Sequence, residues 1–149
     1  MPERRTIEKA RQAERRGKAP STQAGEFVRE EIHHVRQGKH GARSTKQAIA
    51  IGLSKARQAG VDLPPPKKGR VSEKTRKSAE RAYKSGRTGK TTSSARRSNS
   101  RLNTLKREGR SAASKKALSK QARAAARKRP RAARSAAARK AARTRSRNR

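Results

Sequence analysis

The sequence predicts a mainly α protein. A small helical N-terminal module, made of a helical hairpin plus a short first helix, is followed by a largely disordered basic tail with transient helices. Three observations predict this. Apolar residues in the first 63 positions recur at helical spacing between good cap residues. Only 28% of the 149 residues are hydrophobic and 1% aromatic, too few to fill a core along the whole length. Charge then divides the chain at Pro64–Pro66, with 14 Lys or Arg against seven acids in residues 1–66 and 31 against three in residues 67–149. The expected organisation is a helical module over 1–63, a Pro/Lys-rich linker over 64–71, and a Lys/Arg/Ala-rich low-complexity cationic arm over 72–149.

The first helix is expected over residues 3–16, anchored by Ile7 and Ala10 and ending at Gly17. Pro20 breaks the path. A second helix starts at Ser21 or Thr22 and runs to about Gln37, with Gly38 as its stop. Ala24, Phe27, Val28, Ile32 and Val35 form its apolar stripe. Glu31 interrupts that stripe. A buried carboxylate needs a partner, and Arg43 or a loop backbone donor is expected unless the stripe is open to water there.

The most sharply specified stretch is 38–60. Ser44 is a natural N-cap, Gln47 completes a capping box, and Gly60 suits a left-handed C′ position with Val61 folding back on the last turn. Ala48, Ile49, Gly52, Leu53 and Ala56 share one face. Ala48, Gly52 and Ala56 make a smooth row along which another helix backbone can approach. Lys46, Gln47, Ser54, Arg57 and Gln58 point the other way. The second and third helices read as a hairpin, Phe27 and Val35 against Ile49 and Leu53, ahead of a helix-turn-helix whose reading face would be Gln47, Ser54, Arg57 and Gln58.

Beyond the prolines, Ser72 caps a helix over 72–85 that is supported by Glu73–Lys77 and Glu80–Lys84 pairs. Residues 86–94 read as a Gly/Thr/Ser hinge, and 99–108 as a helical turn or two stopped by Gly109. From Ser111 onward the composition is Ala, Lys, Arg and Ser, interrupted by Pro130. Alanine favours helix and like-charge repulsion opposes it, so fluctuating helix divided at Pro130 is expected.

Catalytic signatures are missing. Gly89-Lys90-Thr91 matches the end of a phosphate-binding loop, but Lys84 stands where that pattern needs glycine and no strand precedes it. His33 and His34 are neighbours on a helix and diverge by about 100°. With His40 they read as surface or loop residues. There is no cysteine to help bind a metal. The expectation is a non-enzyme with no cofactor and no metal. The longest apolar run is Ala48–Leu53, far short of a membrane span, and no secretory signal follows the N-terminus, so a cytoplasmic protein is expected.

Charge carries the functional reading. The chain has a formal net charge of +35, and its last 41 residues hold 16 Lys or Arg and no acid. Such a segment calls for a polyanion, most simply nucleic acid, with DNA placed ahead of RNA. The candidate phosphate contacts are Lys39, Arg43, Lys46, Arg57, Lys67, Lys68, Arg70, Arg96, Arg97, Arg123, Arg127, Lys128, Arg129, Arg131, Arg134, Arg139, Lys140 and Arg143. Arginine predominates in the tail, and its planar fork grips phosphate with two parallel hydrogen bonds. Phosphate contacts position a protein without specifying sequence. The expectation is therefore sequence-independent DNA binding and compaction, as in a histone-like, nucleoid-associated protein. An RNA- or ribosome-associated role is the alternative, and a helical docking module with a polyanion anchor is a further one. One Phe and one Tyr are too few for stacking on unpaired bases. The N-terminal helices offer a surface for homo-oligomerisation.

The run GKHGARSTKQAIAIGLSKARQAG, with STQAGEFVREEIHHVRQ before it and VDLPPPKKG after it, resembles a family of small, very basic bacterial proteins of unknown function over residues 1–69. Some of its members carry the label DNA-binding or plasmid-stabilisation protein. The resemblance implies a bacterial cytoplasmic protein, located on the nucleoid, and brings no catalytic residues with it. The tail resembles linker-histone-like basic extensions by composition only.

Overall fold

The computed structural model describes residues 2–89 and 94–147. Every regular element among them is helical: α1 (Arg4–Arg15), α2 (Pro20–Arg36), α3 (Thr45–Gln58), α4 (Glu73–Thr88), α5 (Ala95–Lys106), a 3-10 turn (Ser111–Ala113), α6 (Lys115–Arg127) and α7 (Arg131–Arg147). Two compact units result, divided between Ser114 and Lys115.

In the first unit α3 is central and packs against α2, α4 and the 3-10 turn, while α1 lies on α2. Its ends form as local chemistry dictates. Ser44 Oγ accepts from Gln47 N at 3.2 Å, and the Gln47 side chain takes Arg43 N at 2.7 Å, one residue upstream of the usual capping-box donor. At the other end Gly60 has φ +92°, with Gly60 N bonded to Arg57 O and Val61 N to Ala56 O, which is a Schellman closure. Val61 is buried there and joins Ala10, Ala24, Phe27 and Ala56 in the core, with Ile7, Leu53, Ala59 and Leu63 packed around it. The smooth row does what its spacing predicts: a Cβ on Gly52 would stand 2.7 Å from Val28 Cα, so α2 and α3 meet backbone to backbone.

Pro20 opens α2 rather than merely interrupting the chain, because the first helical position needs no amide donor. The larger correction concerns the tail. The described residues beyond the prolines do not form a disordered arm. α4 is capped by Ser72, whose Oγ accepts from Thr75 N, buries Ala79 and Ala82, and runs to Thr88. Gly86, expected in a hinge, lies within α4 at its closest approach to α3, where a Cβ would fall on Arg57 O. Arg87 and Thr88 complete α4, Gly89 caps it and Ser94 caps α5, while 90–93 lie outside the described residues, and with them Lys90 and Thr91 of the phosphate-loop-like sequence.

The segment after α5 is also fixed. Gly41 N donates to Leu105 O at 2.8 Å, Ala42 N to Gly109 O at 3.0 Å, Thr45 Oγ1 to Ala112 O at 2.6 Å, and Arg36 Nε to Ala113 O at 2.8 Å. Ala112 and Ala113 are buried. This docking escapes a count of large apolar side chains because it uses alanines and hydrogen bonds to backbone carbonyls. In the second unit, α6 and α7 are helices on either side of Pro130, whose carbonyl accepts from Arg134 N at the start of α7. Alanine propensity prevails over charge repulsion there, and Pro130 divides the helices as expected.

Candidate nucleic-acid interface

The cationic residues singled out in the sequence fall into three groups. Arg123, Arg127, Lys128, Arg129, Arg131, Arg134, Arg139, Lys140 and Arg143 are exposed on α6, α7 and the turn between them. Lys46, Lys67, Lys68, Arg70, Arg96 and Arg97 are exposed on the first unit, as is Arg43, whose backbone serves the α3 cap. Lys39 and Arg57 are engaged elsewhere.

Arg57 is the clear correction. Expected on the solvent face of α3, it is 6% exposed, and its Nε donates to Leu63 O at 3.0 Å and its Nη2 to Pro64 O at 3.3 Å. Burial pulls its basicity down. It clamps the chain leaving α3. With α2 and α4 on either side, α3 leaves Lys46, Ala50 and Gln58 exposed and Gln47 and Ser54 half-buried, so of the expected reading face only Gln58 is open. Lys39 Nζ lies 3.1 Å from Glu3 Oε1, so that cation is shared with an acid.

α6 carries an arrangement that a charge count alone does not reveal. Lys116, Lys120, Arg123 and Arg127 stand at i, i+4, i+7 and i+11, all exposed. At about 100° and 1.5 Å per residue this makes a straight stripe about 16 Å long on one face. Lys116 and Lys120 were not among the candidate residues, and the i+4 and i+3 spacing was the signal that would have found them. The half-buried Ala117, Leu118 and Gln121 lie on the other side of α6. On α7 the cations surround the helix, with Arg139, Lys140, Arg143 and Arg147 towards one side and Arg131, Arg134 and Arg145 towards another.

The aromatic residues are not free for base stacking. Phe27 is 1% exposed in the core, and Tyr83 donates its hydroxyl proton to Asp62 while Arg87 lies over its ring.

A second constellation lies inside the first unit. Glu31 is fully buried, and its partner is Lys55, Nζ to Oε2 at 2.6 Å, not Arg43. Lys55 follows Ala48 by seven residues and so shares the smooth face, a position where a cation implies a buried acid. His34 and His40 are buried rather than surface residues, and His33 alone is exposed. His34 Nε2 lies 2.9 Å from Glu3 Oε1 and 3.9 Å from Glu30 Oε1, and the buried Glu30 carboxylate accepts from Glu3 N at the start of α1. The His34 hydrogen bond and the Lys39 ammonium together lower the Glu3 carboxyl to about 2.

Residues 3–68 match a family of unknown function (DUF6496). The similarity covers α1, α2, α3 and the proline segment and stops before α4. No curated protein and no solved structure matches the chain. Among the described residues no helix is long and apolar enough to cross a membrane.

Proposed function

We propose that the protein binds duplex DNA with little sequence preference, through the exposed cationic faces of α6 and α7. The observation that carries this reading is the unopposed stripe Lys116, Lys120, Arg123 and Arg127, within a 41-residue segment that holds 16 Lys or Arg and no acid. Helical presentation matters. Side chains fixed on one face meet a line of phosphates together, and each contact displaces condensed counterions. The side chains on these faces are cations, alanines and a few serines, which suit phosphate rather than base edges, so binding independent of sequence follows. The buried or engaged aromatics favour a duplex over a single strand. The first unit, itself basic, adds contacts through Lys67, Lys68, Arg70, Arg96 and Arg97. A role in compacting DNA on the bacterial nucleoid is the physiological extension of this reading.

The test is fluorescence anisotropy of the full chain with a labelled DNA duplex, a matched RNA duplex and a single strand across a salt series. The reading expects similar affinities for unrelated DNA sequences, a steep fall with salt, and weaker binding of the single strand. Tighter binding of the RNA duplex would move the assignment to RNA. Weak binding that does not depend on salt would overturn it.

A further inference from the structure

We infer that Glu31, His34 and His40 form a binding site for a divalent transition-metal ion of the zinc class. One donor atom from each of these buried residues lies within 4.8 Å of the other two. The independent observation is Glu31 Oε1. This oxygen belongs to a fully buried side chain and accepts no hydrogen bond. His40 Nε2 stands 3.3 Å away without forming one. His40 Nδ1 lies 3.0 Å from Gly41 O. A carbonyl only accepts, so Nδ1 carries the proton, and in the neutral ring Nε2 keeps its lone pair beside a carboxylate oxygen that accepts no hydrogen bond. Two lone pairs held this close are repulsive by themselves, and a cation that both can reach would satisfy them.

The spacing between His40 Nε2 and Glu31 Oε1 fits such an ion, and the His34 donor lies within 4.8 Å of both. Tetrahedral donors at about 2.0–2.1 Å from zinc stand about 3.3 Å apart. Imidazole with carboxylate is a donor set that zinc accepts, and it suits the hard alkaline-earth ions poorly. The surroundings already supply the outer partners of such sites. Gly41 O orients His40, and Lys55 holds Glu31 Oε2 and leaves Oε1 for the ion. Glu3 and Glu30 border His34, so three carboxylates face two ammonium groups, those of Lys39 and Lys55, in a chain that is otherwise strongly cationic. Three protein donors leave a fourth position for water. The ion would fasten α2 to the loop that carries His40, the same loop whose Gly41 and Ala42 amides hold Leu105 and Gly109. The inference is independent of nucleic-acid binding.

The chain has three histidines, so the test contains its own control. Zn²⁺ is titrated into the full-length protein while the histidine ring resonances are followed by NMR, with calorimetry in parallel. The expected result is saturation at one equivalent, with His34 and His40 shifting and the exposed His33 unmoved. His40→Gln and Glu31→Gln should each weaken binding at least about tenfold, and His33→Gln should change it less than about twofold. Rings of His34 and His40 that stay put at one equivalent would overturn the site, as would a His33 response equal to theirs or an unchanged affinity in His40→Gln. If the buried substitutions prevent folding, the wild-type ring shifts decide alone.

Discussion

Gly52→Ala adds a single methyl group at the crossing of α2 and α3, and the outcome is set by two opposing terms. Alanine in place of glycine within a helix gains about 1 kcal/mol of propensity. Against that, the new Cβ would stand 2.7 Å from Val28 Cα and 3.0 Å from both Phe27 O and Val28 N. All three are backbone atoms, so no side chain can swing aside and α2 itself must shift. Overpacking of this kind costs about 1–3 kcal/mol, and a rigid backbone neighbour places the cost in the upper part of that range. The net expectation is a loss of about 1–2 kcal/mol, or several degrees in melting temperature for a unit of this size. Tyr83 is the only tyrosine and there is no tryptophan, so its fluorescence follows unfolding of the first unit without signal from α6 or α7. A midpoint in urea equal to or above that of the wild type would refute the close crossing.

Three further outcomes follow from particular contacts. Arg57→Gln leaves the Leu63 and Pro64 carbonyls without their charged donor, so stability should fall by about 1.5–3 kcal/mol in the same urea assay. DNA affinity should barely change, and a large loss of affinity with intact stability would return Arg57 to the interface. Thr45→Val removes the donor to Ala112 O and should raise hydrogen exchange in residues 109–113 well before global unfolding. Unchanged protection would mean that the segment is held by other contacts. In α4, hydrogen bonds from Arg76 and Lys84 hold the Glu73 and Glu80 carboxyls below their ordinary value of 4.5. Groups depressed in the folded state stabilise fully above that ordinary value and lose their effect as pH falls through the folded-state values. NMR shifts should therefore show α4 loosening below about pH 4.5, less so in Arg76→Gln, and an α4 indifferent to acid would contradict the pairing.

The ends of α3 were legible because they are local: Ser44, Gln47, Gly60 and Val61 lie within a few residues of the groups they satisfy. The apolar stripe of α2 was legible for the same reason. What escaped depends on residues far apart in the chain. The partner of Glu31 is 24 positions away, and Thr45 reaches Ala112 across 67. The docking of α4 and of residues 105–113 uses Ala79, Ala82, Gly86, Ala112 and backbone groups, which a hydrophobicity count scores as nearly nothing. His34 and His40 are six apart in sequence, and only the folding back of the loop over α2 brings both to Glu31. For the cationic segment, a charge count does not tell whether the side chains are presented on a coil or along a helix face.

The stripe on α6 gives the most direct test of the account. In a full-length variant, Lys116, Lys120, Arg123 and Arg127 are all replaced by Gln. A control replaces Arg4, Arg5, Lys9 and Arg15 by Gln, removing the same charge from exposed positions on α1. Affinity for a DNA duplex is measured from low to moderate salt for both proteins and the wild type. Each phosphate contact contributes about 0.9 to the slope of log affinity against log salt, so four contacts predict a slope shallower by about three to four. The account predicts that change for the α6 variant and little change for the α1 control. Equal slopes for the two variants would contradict it, because charge alone, wherever it lies, would then account for binding.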